Sequence, residues 1–374
     1  MPNIIDYLQW RGDIRLEHSP FNEVDNLILA EFSYLPLELA DQPCEGLSVK
    51  DIAPMLHNHP DAYGYIDEDN NKSMLELMAA SKRFEDVLVR EYRYETDEHS
   101  EKQFAAMTFF LPDETVYVAF RGTDSSLIGW KEDFNMAFIC PVPAQAEALK
   151  YLEMICGSTP LPIRVGGHSK GGNLAVYAAA NVSGETRGRI LQVYSNDGPG
   201  MNETTINSEG YRAITDKIVS IVPEFSIIGM FLHQHKDYKV VSSVSTGLMQ
   251  HSPFSWEVLG TGFVLLPHLK HSSLQIDAIL DQWLFDMPED DRMQLVEALF
   301  TALKGAEIKT IESLIENPVK IGFSILLAIR HFDQDTRRLV WEKLTGLAGV
   351  ALKEKRVGHD EPAEQEQHRT LAGN

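Results

Sequence analysis

Apolar residues change their spacing twice along this chain. Over residues 1–90, Val24, Leu27, Ile28 and Phe32 recur at helical intervals. Ser73-Met74-Leu75-Glu76 has the form of a capping box and predicts a second helix running through about Val87. The period then shortens. Residues 103–111 and 115–120 are apolar, aromatic-rich runs on either side of Pro112-Asp113-Glu114, which predicts two strands joined by a turn. Beyond them the patterns alternate: a helix over 144–155, a strand over 161–166, a helix over 171–182, and strands over 190–195 and 217–222. Such alternation predicts a mainly parallel sheet with helices on both faces. From about His271 the pattern is helical again. Pro288 sits where a helix begins, Met293, Val296, Leu299 and Phe300 supply its apolar stripe, and two more helices are expected over 316–332 and 336–352. From Glu354 the chain is polar and aperiodic, the composition of a segment that builds no core. The expected organisation is an α/β domain over 1–272 that includes the N-terminal helices, a helical subdomain over 273–353 and a disordered tail over 354–374.

Composition narrows the partners. With 374 residues, 44% hydrophobic and 24% charged, the chain has material for a substantial core. Its 33 basic and 55 acidic residues give a formal charge of −22, which repels phosphates and argues against nucleic acid and anionic membrane surfaces as partners. The acid is spread along the chain, so it reads as solubility rather than as a site. Cys44, Cys140 and Cys156 are odd in number and lack CxxC spacing, as expected of reduced thiols in a reducing compartment. The start, MPNIIDYLQWRGD, lacks a charged segment followed by an apolar run. The apolar stretches near 321–329 and 225–232 fall short of the about 20 residues a membrane span needs. The expectation is a cytoplasmic protein without a transmembrane segment. No pattern bears on its oligomeric state.

Candidate chemistry centres on Gly166-Gly167-His168-Ser169-Lys170-Gly171-Gly172, which follows the strand-like Leu161-Pro162-Ile163-Arg164-Val165 and precedes a helix-like run over 173–180. G-x-S-x-G between strand and helix is the nucleophile-elbow pattern. Glycines flank the serine because a Cβ in so tight a turn would strike the neighbouring strand or helix. The strain holds the hydroxyl outward at a helix start, where backbone amides receive negative charge. A serine in an ordinary glycine-rich loop is the plainer alternative, and the strand, helix and doubled glycines weigh against it. Upstream, Val116-Tyr117-Val118-Ala119-Phe120-Arg121-Gly122-Thr123-Asp124 reads as a strand entering a turn. Acyl transfer needs two donors converging on the oxyanion. The amide of Lys170, after the nucleophile, is one; Thr123 is placed to supply the other, unless this is a plain strand end with Arg121 in a structural ion pair.

The V-A-F-R-G-T run, Gly129-Trp130-Lys131-Glu132-Asp133-Phe134 and the G-H-S-x-G-G elbow resemble the class 3 (fungal-type) triacylglycerol lipases. The closer resemblance is to a bacterial family of unknown function in that lipase-like branch. It is carried also by Asn196-Asp197-Gly198-Pro199-Gly200, Ser226-Ile227-Ile228-Gly229-Met230 and Gln250-His251-Ser252-Pro253-Phe254-Ser255-Trp256. It covers roughly residues 20–260, the helical C-terminus being similar to the bacterial family only. The resemblance implies an α/β-hydrolase fold with an N-terminal helical segment and a helical C-terminal extension, and a Ser-His-acid triad. It implies no substrate.

In α/β-hydrolases the triad runs Ser, acid, His along the chain. Candidate bases are His233, His235, His251, His268 and His271. His251 is favoured because it follows a strand-like 239–244, precedes Phe254 and Trp256, and falls where the resemblance puts the base. For the acid, Asp197 ends the strand over 190–195 in a glycine/proline turn that presents it at the sheet's carboxyl edge, although Asp before Gly-Pro also serves plain turn chemistry. Glu224 is the alternative, standing about where class 3 lipases carry an aspartate. Leu127, Ile128, Trp130, Phe134, Met136, Phe138 and Ile139 make either a lid over the serine or a core-packing helix, with Lys131, Glu132 and Asp133 as a polar face. Residues 225–232 make either an acyl pocket or a buried helix. No HExxH or similar spacing occurs, so no metal or other cofactor is expected.

Three function classes remain open on this reading. One is an esterase or lipase acting on a small-molecule or lipid acyl ester. Another is a thioesterase or amidase on the same triad. The third is a non-catalytic module whose helical C-terminus binds a partner.

Overall fold

A computed structural model describes residues 1–40, 42–56, 59, 63, 67–97, 99–124, 127–275 and 288–305, with 330, 334, 335, 337, 338 and 341 beyond them. The strands are β1 (Leu47–Ser48), β2 (Leu88–Asp97), β3 (Lys102–Phe110), β4 (Val116–Phe120), β5 (Ile163–His168), β6 (Ile190–Asn196), β7 (Ile218–Pro223), β8 (Lys239–Val241), β9 (Val258–Leu259), β10 (Gly262–Phe263) and β11 (Leu265–Leu266). The helices are α1 (Ile4–Arg11), α2 (Glu23–Phe32), α3 (Val49–Leu56), α4 (Glu68–Ala80), α5 (Leu127–Asn135), α6 (Pro143–Ser158), α7 (Lys170–Asn181), α8 (Gly184–Arg189), α9 (Glu203–Ile206), α10 (Glu209–Ile214) and the C-terminal helix αC (Glu289–Gly305).

 Turns and short 3₁₀ segments join these elements.

The strands form one nine-stranded sheet in the order β1-β2-β3-β4-β5-β6-β7-β8-β11, with β9 and β10 as a separate ribbon. β4 through β8 run parallel, and antiparallel strands extend this core at both edges. The parallel core follows from sequence, because β4 is apolar at every position and so must be covered on both faces. Val116, Val118 and Phe120 pack with α6, α7 and α10, while Tyr117 and Ala119 pack with α1 to α4 on the other side. The expected sheet with helices on both faces is therefore present. On the α1–α4 side, Arg83 is buried and bonds Asp25 of α2 through Nε at 2.7 Å and Nη2 at 2.5 Å, and Tyr7 donates to the same carboxylate at 2.9 Å. Removing one partner would strand the other charge in the core, so α2 is held firmly behind the sheet.

Several elements differ from the sequence expectation. α4 begins at Glu68 and ends at Ala80, so Ser73 lies inside it, where its hydroxyl bonds the Asp69 carbonyl at 2.9 Å rather than capping an end. β2 was not expected: its exposed face is charged, and a register shift between Arg90 and Arg93 breaks the alternation that reveals a strand. The strand expected over 239–244 ends at Val241, and residues 225–232 form turns and bends instead of a helix. αC follows Pro288 as expected; Val296 and Phe300 are buried, whereas Met293 is exposed. The helices expected over 316–332 and 336–352 fall almost entirely outside the described residues, and the tail from 354 falls wholly outside them.

Candidate active site

The turn between β5 and α7 holds Ser169 at φ 56°, ψ −133°, a backbone region that a residue with a Cβ occupies only under strain. Close packing enforces it. A Cβ on Gly167 would lie 2.4 Å from the Gly171 backbone and 2.4 Å from the Phe120 carbonyl oxygen. A Cβ on Gly122 would lie 3.0 Å from that of Ser169, which brings the loop after β4 against the serine. The Ser169 amide is tied to the Asn196 carbonyl at 2.9 Å, at the end of β6.

One residue after that carbonyl, Asp197 is buried with φ 47°, its amide bonded to Ile221 of β7 at 2.7 Å. Its Oδ2 meets His251 Nδ1 at 2.5 Å, and its Oδ1 accepts from the Ser226 hydroxyl at 2.5 Å. A carboxylate so placed holds the imidazole with a proton on Nδ1 and leaves Nε2 to accept one. His251 keeps 29% of its side chain exposed, so the ring is open to a ligand on one side while its partner, at 1%, is sealed. The turn carrying His251 is fixed by its neighbours. The buried Gln250 side chain receives the Phe225 amide at 2.8 Å and donates to the Ser245 carbonyl at 3.0 Å, and Trp256 Nε1 donates to the Gln250 carbonyl at 2.8 Å.

Lys170 opens α7, whose first-turn amides have no carbonyl within the helix to bond. Its side chain is fully buried and runs from α7 to β3 and α5, donating to Gln103 at 2.8 and 2.6 Å and to Glu132 at 3.0 Å. The Thr123 hydroxyl donates to Asp133 Oδ2 of α5 at 2.5 Å. Burial pushes the Asp133 carboxyl up to about 7, with the Lys170 charge and the Thr123 hydroxyl pulling the other way. α5 is thus bonded to both sides of the serine.

The Mbeg1-like family model matches residues 78–301, which run from α4 to αC and include every residue just described around Ser169. The chain belongs to the Mbeg1-like family. Solved structures similar to this Mbeg1-like chain include a fungal lipase in complex with an inhibitor, at 18% identity, covering 46% of this chain and 68% of the lipase with a TM-score of 0.31. A triacylglycerol lipase from Penicillium expansum is 12% identical, with 49% and 82% covered and a TM-score of 0.31. The Rhizomucor miehei lipase in complex with its propeptide is 17% identical, with 58% and 68% covered and a TM-score of 0.32. No curated protein matches the sequence.

The remaining candidates of this Mbeg1-like chain lie elsewhere. Glu224 accepts from Lys270 at 2.7 Å and from Gln250 at 3.4 Å, so it braces the turn before His251 rather than its ring. His233, His268 and His271 are exposed, and His235 is half-buried. Lys131, Glu132 and Asp133 do not form a solvated face: Lys131 pairs with Glu101 and Glu297 at 2.5 Å each, and Glu132 is fully buried against Lys170. Trp130 and Phe134 are half-buried on α5, and Phe134 stacks edge-on with Phe231 at 6.4 Å and with Phe300 of αC at 5.9 Å. A cleft of about 500 Å³ opens between α5 and αC; Lys131, Phe138, Met293 and Glu297 line it, and neither Ser169 nor His251 does. Among the described residues no group of three or more His, Cys, Asp and Glu side chains could hold a metal ion, and no helix is long and apolar enough to cross a membrane. Sequence reasoning missed Ser226 and Gly229, which cradle Asp197, and His168, Tyr34 and Glu31, which lie behind His251. Gly229 had a signal within the quoted S-I-I-G-M run; Tyr34 and Glu31 had none.

Proposed function

We propose that this chain is a serine hydrolase that cleaves a carboxylic acyl ester of a small molecule or lipid. Ser169 is the nucleophile, His251 the general base, Asp197 the acid, and the amides of Thr123 and Lys170 the oxyanion donors. The observation that carries this reading is the strained Ser169 at the carboxyl edge of the sheet with the His251–Asp197 pair, at 2.5 Å, on neighbouring loops. In the reaction His251 takes the Ser169 proton as the oxygen attacks the ester carbonyl. The tetrahedral oxyanion is held by the two amides, and the imidazolium by Asp197. His251 returns the proton to the leaving alcohol, and an acyl-enzyme remains. Water, activated by the same histidine, attacks the acyl carbon, releases the acid and restores Ser169. The unpaired Cys44, Cys140 and Cys156 support action in a reducing, cytoplasmic compartment.

A fluorophosphonate probe and p-nitrophenyl esters from acetate to palmitate test the proposal. The wild-type chain should be labelled and turn over at least one ester, and Ser169→Ala should lose both while melting normally. Undiminished labelling of Ser169→Ala, or a wild-type chain inert to probe and esters alike, overturns it.

A further inference from the structure

His168, the residue before the nucleophile, ends β5 with its side chain buried. Its Nε2 lies 2.9 Å from the carbonyl oxygen of His251. A carbonyl oxygen only accepts, so Nε2 carries the proton and Nδ1 is left as an acceptor. Two groups face Nδ1: the Tyr34 hydroxyl at 3.1 Å and Glu31 Oε1 at 3.3 Å. Tyr34 receives the Gly122 amide, lies 3.4 Å from the His168 carbonyl, and keeps its proton because burial holds its pKa well above the usual phenol value. Burial, and then the charge of Asp67, raise the Glu31 carboxyl well above the carboxylate range, so it too holds a proton to donate. Glu31 Oε1 has no other hydrogen-bond partner among the described residues, and the Tyr34 hydroxyl can donate to the His168 carbonyl, so the single Nδ1 lone pair is left for the proton of the neutral Glu31 acid.

The His168 ring also lies against that of His251, with centroids 4.5 Å apart and planes 36° to one another. Burial and the neighbouring His251 hold the His168 pKa well below its usual value, so an uncharged ring backs the one that must become positive. Asp197 pairs with His251 Nδ1, and the charge of Asp67 acts on Glu31.

We propose that His168 is a positioning residue for the acyl transfer: its Nε2–H holds the His251 carbonyl and so fixes the Gly247–His251 turn, while Glu31 and Tyr34 lock the tautomer from behind. The role rests on the hydrolase reading of Ser169 and His251, but the tautomer can be measured without turnover. Imidazole ¹H–¹⁵N correlation spectra of the full chain, with His168 assigned by its loss in His168→Gln, should show a neutral Nε2–H ring from about pH 5 to about pH 8. An Nδ1–H tautomer, or a doubly protonated ring in that range, overturns the proposal. Kinetics test the role itself. Gln sets an amide N–H near the position of Nε2, whereas Met fills similar space without a donor. His168→Met should lower kcat on a p-nitrophenyl ester by about 10- to 100-fold with KM within about 2-fold, and His168→Gln should stay within about 3-fold of wild type. Equal losses in both variants, or full activity in His168→Met, overturn the role alone. A wild-type chain without turnover or labelling overturns the hydrolase reading and the role with it. If His168→Met does not fold, the spectra of the wild-type chain and the kcat of His168→Gln decide.

Discussion

Asp197 and Glu224 stand at the ends of neighbouring parallel strands, and only their surroundings separate their roles. Asp197 is sealed between Ser226 and His251, whereas Glu224 is spent on Lys270. Asp197→Asn should therefore lower kcat by about 10⁴-fold, because an amide in that place favours the wrong imidazole tautomer, and Glu224→Gln should change it less than about 10-fold. Steady-state kinetics of the two variants check this; a larger loss at Glu224 refutes the assignment. Asp133 supplies a prediction about stability. Its folded pKa of about 7 exceeds the ordinary 3.8, so the folded state keeps a proton that the unfolded chain releases. The stability this contributes is present at low pH and is lost as the pH rises from about 4 through about 7. Asp133→Asn carries no such loss, so its melting temperature relative to wild type should climb between about pH 5 and about pH 8; a difference that does not vary with pH refutes it. The turns that carry Ser169, His251 and Asp197 were legible in the sequence because each has its own glycine or proline punctuation. Tyr34 and Glu31 were not, because they meet His168 only through the folding of α2 and the turn after it onto β5, across 134 residues in the case of Tyr34.

At the scale of elements, those whose apolar positions are dense and uninterrupted were readable to within a residue or two. β5, β6, β7 and α7 all sit in the core, where burial on both faces leaves little choice of partner. β2 was hidden by its charged face, and of the two readings of residues 225–232 the buried helix is the one that fails, because their apolar run serves turns that wrap Asp197. Gly229 shows why a turn is required there. A Cβ on it would lie 2.2 Å from Asp197 Oδ1 and 2.6 Å from the Ser226 hydroxyl, so any side chain must displace the carboxylate. Gly229→Ala should cost about 10²-fold in kcat with KM little changed, since a shift of about 1 Å in a catalytic partner has an effect of that size. The variant should still melt cooperatively, because the strain falls on an edge of the core and small-to-large changes cost about 1–3 kcal/mol. Wild-type kcat in Gly229→Ala would show that the turn does not set the position of Asp197.

For the whole molecule, the question is how far the C-terminal helix is coupled to the chemistry. αC meets α5 and the turn after it, by Phe300 on Phe134, Glu297 on Lys131 and Arg292 on the Ala137 carbonyl at 3.3 Å. α5 in turn grips the site from its other side, Glu132 on Lys170 and Asp133 on Thr123. The two sets of contacts differ in kind. Those to the site are buried and charged or charge-assisted, whereas the Lys131–Glu297 pair has a glutamate 65% exposed and contributes little. Apolar packing by the buried Leu295, Val296, Phe300 and Leu303 therefore carries most of the docking of αC, and Phe300 is its aromatic member. Phe300→Ala should destabilise that docking by about 2–4 kcal/mol, seen as faster amide exchange over Glu289–Gly305. If α5 is held to the site independently, turnover of a short-chain ester should stay within about 3-fold of wild type and the exchange of β5 and α7 should not change. A fall in kcat matching the loss of αC protection would instead make the helix part of the working site, and would reverse the reading of α5 as an anchored wall.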